Sequence, residues 1–166
     1  MKAKISTNMG LIQVLLDVEK APKTVENFKN YVESGHYINT LFHRVIDGFM
    51  IQGGGFEPGM KQKLAPQTVE NESKNGLKNE PYTIAMARTS APHSATSQFF
   101  INVKNNAFLD YPSQDGWGYA VFGNIPDQES RDVVDLIRVV KTTRNGMFAD
   151  VPVNDVVIES IEIEAQ

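Results

Sequence analysis

Apolar residues recur along the chain at two spacings, and the switches between them delimit its elements. "KAKIST" and "LIQVLLD" alternate around "NMG", whose Gly10 suits a tight turn, and predict an N-terminal hairpin. "APKTVENFKNYVESG" changes to a helical period, with Val25, Phe28, Tyr31 and Val32 on one face, Pro22 near the start and Gly35 just past the end. "TLFHRVI" and "FMIQGG" predict two strands joined at Asp47-Gly48. Residues 56–80 have no clear period and read as a long loop that is functional or mobile. "YTIAMA" and "QFFIN" are strands separated by the polar "RTSAPHSATS", and "YAVFGN" is another. "SRDVVDLIRVV" returns to a helical stripe of Val133, Val134, Ile137 and Val140. "DVVIESIEIE" ends the chain as a strand whose Ile161 and Ile163 alternate with Glu162 and Glu164.

This pattern sums to eight strands and two helices with no repeat and no internal linker. The connections are too short for most crossover helices, so the sheet should be largely antiparallel. Eight such strands would expose both edges unless the sheet closed. The expectation is therefore mostly β: a closed eight-stranded antiparallel barrel capped by two helices, one domain over residues 1–166.

Composition narrows the function. A net charge of −4 argues against a nucleic-acid binder, which clusters positive charge. No window approaches the roughly 18 apolar residues of a membrane span. The N-terminus has neither an apolar core segment nor a small-residue cleavage site, so no signal peptide is expected. The chain has no cysteine, which excludes disulfides, zinc thiolates and a cysteine nucleophile and is compatible with the cytoplasm.

Ser94, Ser97 and His93 stand together in "APHSATS", yet no G-x-S-x-G elbow exists, and a hydrogen-bonded loop is the better reading. His36, His43 and His93 lack metal-ligand spacing, and "GGGFEPGMKQK" is not a phosphate loop. What remains is an apolar surface with a few polar donors. In "LFHRVI" both alternating faces are mostly apolar, so either His43 or Arg44 falls among buried neighbours. Arg44 reads as a rim ion pair or as a functional donor, and His43 as a satisfied structural histidine. Taken singly, Phe49, Met50, Phe99 and Phe100 read as core. Gln52 and Gln98 lie inside strands, where amides demand partners. Together these residues fit a groove that binds peptide backbone.

"FHRVIDGFMIQGGG", "MARTSAPHSATSQFFIN" and "GWGYAVFG" resemble the signature segments of the cyclophilins, the cyclosporin-binding family of peptidyl-prolyl cis-trans isomerases. The resemblance spans essentially the whole chain and is nearest to small bacterial members of the peptidyl-prolyl isomerase B type. It implies an eight-stranded barrel with two capping helices, an isomerase of X–Pro bonds, and no metal or cofactor. It also implies proline-containing peptides and unfolded or nascent proteins as partners; a monomer is expected, because the groove needs no partner. Arg44 aligns with the family's catalytic arginine, and Phe49, Met50, Gln52, Gln98 and Phe100 with its proline pocket and substrate-anchoring groups. Of these, Gln52 is expected to orient Arg44 and hold substrate backbone. Leu109 aligns with a pocket leucine, and Ala87 and Arg88 with positions that hold substrate backbone. Three positions depart from the family. Phe108 replaces a tryptophan of many eukaryotic members, Tyr119 a histidine and Arg88 an asparagine. Without the indole N–H, cyclosporin A should bind weakly. A proline-peptide binding module or chaperone with little turnover is the alternative to an enzyme.

Overall fold

The computed structural model describes residues 1–165. The chain opens with the expected hairpin, β1 (Lys2–Thr7) and β2 (Gly10–Leu16). At its turn the Thr7 hydroxyl donates to Gly10 O (2.7 Å) and accepts from Met9 N (3.0 Å). Ala3 and Ile5 on β1, with Ile12 and Val14 on β2, point inward and are fully buried.

Helix α1 (Pro22–Glu33) begins on Pro22 and buries Val25, Phe28 and Tyr31. It has no acidic residue in its first turn. Glu72 supplies that charge from the 56–80 segment, accepting from Thr24 N (2.7 Å) and the Thr24 hydroxyl (2.6 Å). Tyr31 fixes the same segment, donating to Gln67 O and accepting from Gln67 N. Phe28 closes one end of the barrel edge-on to Phe99, with ring centroids 5.9 Å apart. Burying such a side chain is worth about 1.5–3 kcal/mol.

The strand expected over "TLFHRVI" is two strands, β3 (Thr40–Leu41) and β4 (Arg44–Ile46). After them come β5 (Met50–Gly53), the short pair β6 (Phe56–Glu57) and β7 (Lys61–Gln62), β8 (Thr83–Met86), β9 (Phe99–Asn102) and β10 (Val121–Asn124). Helix α2 (Gln128–Arg138) is capped by the Asp127 carboxylate, which accepts from Ser130 N (2.9 Å), and it buries Ser130, Val134 and Ile137. A ribbon of β11 (Thr142–Asn145) and β12 (Phe148–Pro152) precedes β13 (Val157–Glu164).

One antiparallel sheet holds nine strands in the order β3-β13-β1-β2-β10-β8-β9-β5-β4. The count and the closure thus differ from the closed eight-stranded expectation. β3 and β4 are the two edges of the sheet, and the chain itself joins them through Phe42 and His43, both buried. The curl brings β5 across β3: Gly54 N donates to Leu41 O (3.2 Å), and a Cβ on Gly53 would lie 2.6 Å from that oxygen. A continuous ladder through residues 40–46 would require these strands to stay side by side, which the curl prevents.

The ribbon of β11 and β12 was not among the expected strands, although Asn145-Gly146 is a turn dipeptide and Gly146 has φ 62°. Phe148 on the ribbon meets Phe56 at 5.2 Å, and β12 lies against β4. No helix among the described residues is long and apolar enough to cross a membrane.

Candidate active site

Strands β5, β8, β9 and β10 are apolar on both faces, and this creates the site. Ile51, Ile84, Met86, Phe99, Ile101 and Phe122 fill the barrel interior. Their alternating neighbours Met50, Ala85, Phe100 and Val121 form a second, smaller cluster on the outside, joined by Leu109. Register aligns this outer face: Arg44 pairs with Gln52, Gln52 with Phe100, Phe100 with Ala85, and Ala85 with Val121. A row of side chains therefore crosses five strands, charged at the β4 edge, an amide on β5 and apolar on the three strands beyond.

The segment after β9 folds back over this face. A 3-10 turn at Ala107–Leu109 places Leu109 on the outer cluster, and Tyr119 N donates to Leu109 O (2.9 Å). Between cover and sheet lies a cavity of about 170 Å³ lined by Arg44, Phe49, Met50, Gln52, Ala87, Arg88, Phe100, Leu109 and Tyr119. Tyr119 meets Phe100 edge-on at 5.9 Å.

Of the eleven site residues expected from the sequence, nine surround this one cavity. The other two adjoin it. Gln98 borders a neighbouring hollow with Gly55, Gln62 and Lys63, and its Oε1 accepts from Gln52 Nε2 (3.0 Å). Phe108 stacks on Phe49 with centroids 5.8 Å apart and stays 66% exposed.

Arg44 is exposed and has no ion-pair partner among the described residues, so it is not the rim ion pair allowed by its pattern. Its Nη1 donates to Gln52 Oε1 at a long 3.4 Å. The Gln98 acceptor takes the Gln52 NH2 group and so turns the Gln52 oxygen toward the guanidinium. Gly55 makes room for this relay, because a Cβ there would lie 2.4 Å from Gln98 Cγ. The guanidinium stands beside the cavity walled by Phe49, Met50, Phe100 and Leu109.

The second arginine is differently employed. The Arg88 side chain is only 2% exposed and pairs with Asp115 at 3.0 Å. It also donates to Gly118 O and Thr89 O, and its guanidinium lies 4.4 Å over the Tyr119 ring. The Arg88 side chain thus holds the 115–118 turn and braces Tyr119, which leaves only its main chain for a substrate backbone. Asp115, which nothing in the local sequence marks, is the partner that makes this possible.

None of the three histidines lines the cavity. His36 Nε2 bonds Gly54 O (3.0 Å), and burial, the largest cause, lowers its pKa. His93 Nδ1 accepts from Asn71 N (3.0 Å). His43 points away from Arg44 into the protein, its ring 4.5 Å from that of Phe56. Its Nδ1 has no hydrogen-bond partner among the described residues, which corrects the expectation of a satisfied histidine. Burial first, and the Arg44 charge second, lower its pKa to about 4. Ser94 and Ser97 donate to Ala91 O and Gly54 O as loop supports. Trp117 sits apart, beside His93 and Tyr111.

Comparison with known proteins agrees with this geometry. A family model described as cyclophilin type peptidyl-prolyl cis-trans isomerase/CLD matches residues 2–163. The chain is 57% identical over 162 residues to the peptidyl-prolyl cis-trans isomerase cyp18 of Streptomyces antibioticus, covering 96% of each. It is 57% identical over 159 residues to the peptidyl-prolyl cis-trans isomerase B of Escherichia coli K12, covering 95% of this chain and 96% of the other. A Cryptosporidium parvum cyclophilin type peptidyl-prolyl cis-trans isomerase, crystallised in the presence of the dipeptide Ala-Pro, superposes over 100% of both chains with a TM-score of 0.80 and 26% identity. By sequence over nearly its full length, and by fold, the chain belongs to the cyclophilin-type peptidyl-prolyl cis-trans isomerases.

Proposed function

We propose that this isomerase turns X–Pro bonds by gripping the proline ring in the outer cavity while Arg44 donates a hydrogen bond to the prolyl nitrogen. The observation that carries the reading is Arg44 itself, an exposed guanidinium without a carboxylate partner among the described residues, held by Gln52 and Gln98 at the lip of a cavity walled by Phe49, Met50, Phe100 and Leu109.

An X–Pro bond resists rotation by roughly 20 kcal/mol because its amide is conjugated. Rotation makes and breaks no covalent bond, so no nucleophile is needed. In the twisted transition state the prolyl nitrogen loses conjugation and becomes a pyramidal acceptor. A donor beside it then binds the transition state and not the planar ground state. Arginine suits the task because it is charged at every working pH and its donors form a rigid fork. Phe49, Met50, Phe100, Leu109 and Tyr119 hold the ring while the N-terminal side turns, with Phe108 extending the wall behind Phe49. Ala87 and the main chain of Arg88 hold the substrate backbone.

An acceleration of roughly 10⁵ requires about 7 kcal/mol. One hydrogen bond from a charged donor contributes about 1.5–3 kcal/mol. Positioning of the ring and the preorganised cavity supply the remainder. Substrates are proline-containing peptides and the unfolded or nascent chains that carry them, as the relative crystallised with Ala-Pro supports. The cavity is built from one chain, consistent with a monomer, and a cysteine-free chain suits the cytoplasm.

The test is a protease-coupled isomerisation assay on a short X–Pro peptide, run on wild type and on Arg44→Ala. Arg44→Ala should lower kcat/KM by at least about tenfold. Its unfolding midpoint should barely move, because the side chain is exposed. Wild-type turnover in the folded variant would refute the role of Arg44. Negligible turnover in both proteins, with proline peptide still bound, would favour the binding module.

A further inference from the structure

Beneath the cover of the groove, three asparagines are buried where apolar side chains would pack as well: Asn79 and Asn102 are fully buried and Asn106 is 3% exposed. They form a directed relay. Asn106 Nδ2 donates to Phe49 O (2.8 Å) and to Asn102 Oδ1 (2.8 Å). Asn102 Nδ2 donates to Asn79 Oδ1 (3.0 Å) and to the Thr83 hydroxyl (3.0 Å). Asn79 N and Nδ2 both donate to Asp110 Oδ1, at 2.7 and 3.0 Å, and Nδ2 also reaches Tyr119 O (3.4 Å). Main-chain bonds close the circuit, Asn106 N to Asn79 O and Leu109 N to Asn106 O, both 2.9 Å.

The two ends of this relay are the two walls of the cavity. One end holds the carbonyl of Phe49, which also accepts from Val103 N. The other end holds Asp110, which follows Leu109 directly, and the carbonyl of Tyr119, both part of the covering segment. Each amide has its oxygen and nitrogen assigned by its neighbour, so no member can turn without breaking the next bond. A buried polar network whose amides are oriented by their hydrogen bonds defines one geometry, whereas apolar packing at the same positions would tolerate several. Asn102 reaches the relay because it lies on the outer face of β9 in the same alternation as Phe100.

We infer that Asn106, Asn102 and Asn79, anchored on Asp110, are positioning residues that set the width of the proline pocket by tying the Phe49 wall to the Leu109–Tyr119 wall. This rests on the cavity being the proline site. None of the three touches substrate. Their effect is on how well the ring is held, in the ground state and the transition state alike, so it falls on KM and not on kcat.

The experiment measures kcat and KM for a proline peptide, per folded molecule by circular dichroism, in Asn106→Ala, Asn106→Ser, Thr83→Ala and Arg44→Ala. Asn106→Ala should raise KM by about tenfold and leave kcat within about twofold. Asn106→Ser retains one donor and should recover part of that loss, and it carries the comparison should the alanine variant not fold. Thr83→Ala removes a side branch that reaches neither wall, so its KM should stay that of wild type. The inference is overturned if kcat falls in the Asn106 variants at unchanged KM, or if Thr83→Ala raises KM equally. Arg44→Ala separates the two failures. Lost activity there with an unmoved KM in both Asn106 variants overturns the relay alone. Full activity there overturns the assignment of the cavity, and the relay's role with it.

Discussion

Acidification from pH 7 to about 5 should weaken the fold by about 2 kcal/mol through His43 alone, while the folded enzyme keeps its activity. His43 is 6% exposed, its ring lies against Phe56, and its Nδ1 has no partner among the described residues. Burial and the Arg44 charge therefore hold its pKa at about 4, against an ordinary 6.5. Below about 6.5 the unfolded chain takes up a proton that the folded chain refuses until about 4, so stability rises with pH across that window and falls as pH drops through it. The gap between about 4 and 6.5 corresponds to about 3 kcal/mol in full. About 2 kcal/mol of this is lost by pH 5, equivalent to roughly 4–8 °C in Tm for a domain of this size. His36 is shifted the same way and adds to the total slope, so the His43 share is read as a difference. Urea unfolding of wild type and His43→Phe at several pH values between about 5 and 7 isolates it. The phenyl ring keeps the contact with Phe56 and cannot titrate. Equal pH slopes in the two proteins would refute the assignment. In the same range kcat/KM per folded molecule should be flat up to about pH 9, because no histidine lines the cavity and an arginine is charged throughout. A tenfold fall near pH 6.5 would bring a titrating group into the mechanism.

Two further substitutions probe the ends of the groove. Gly55→Ala places a methyl group 2.4 Å from Gln98 Cγ and should displace the acceptor that orients Gln52, lowering kcat/KM by about 2- to 13-fold. Unchanged kcat/KM per folded molecule would show that the Gln98–Gln52 bond does not orient Arg44. Phe108→Trp adds an indole N–H to a wall that is 66% exposed and stacked on Phe49, and should tighten cyclosporin A by about 5- to 150-fold. Titration calorimetry checks this, and equal affinities would mean that Phe108 does not meet the ligand.

What could be read in advance follows from which signals are local. The hairpin of β1 and β2, both helices and β13 were legible because each repeats its period over several residues with one face buried. The β3–β4 break was not, since Phe42 and His43 continue the apolar run, and only the curl of the sheet takes them out of the ladder. The β11–β12 ribbon escaped because its residues 142–145 are mostly exposed and carry no alternation beyond the Asn-Gly turn. In the site, Arg44, Gln52 and Gln98 stood out as polar groups inside apolar strands, and the structure joins them in one chain of hydrogen bonds. Arg88 did not disclose its employment, because Asp115 and Gly118 lie about thirty residues on. The asparagines were silent for a related reason. Asn102 ends a strand and Asn106 precedes a turn, places where asparagine is ordinary.

The pocket owes its existence to a sheet that is apolar on both sides. A strand such as "FMIQGG" or "QFFIN" must be covered twice, inside by the barrel core and outside by another part of the chain. The inner cover is complete, with Ile51, Phe99 and Ile101 fully buried. The outer cover comes from the segment between Val103 and Ala120, which seats Leu109 on the sheet, with Leu77 beside it, and it stops short of β4. The uncovered remainder is the cavity, and the side chain at its open edge is Arg44. A charge there remains hydrated on one side while facing apolar surface on the other, so it needs no buried counter-ion. That position is available only on an edge strand. The split of residues 40–46 into β3 and β4, unneeded for a simple closed barrel, is what makes β4 an edge and brings its arginine to the lip of the groove.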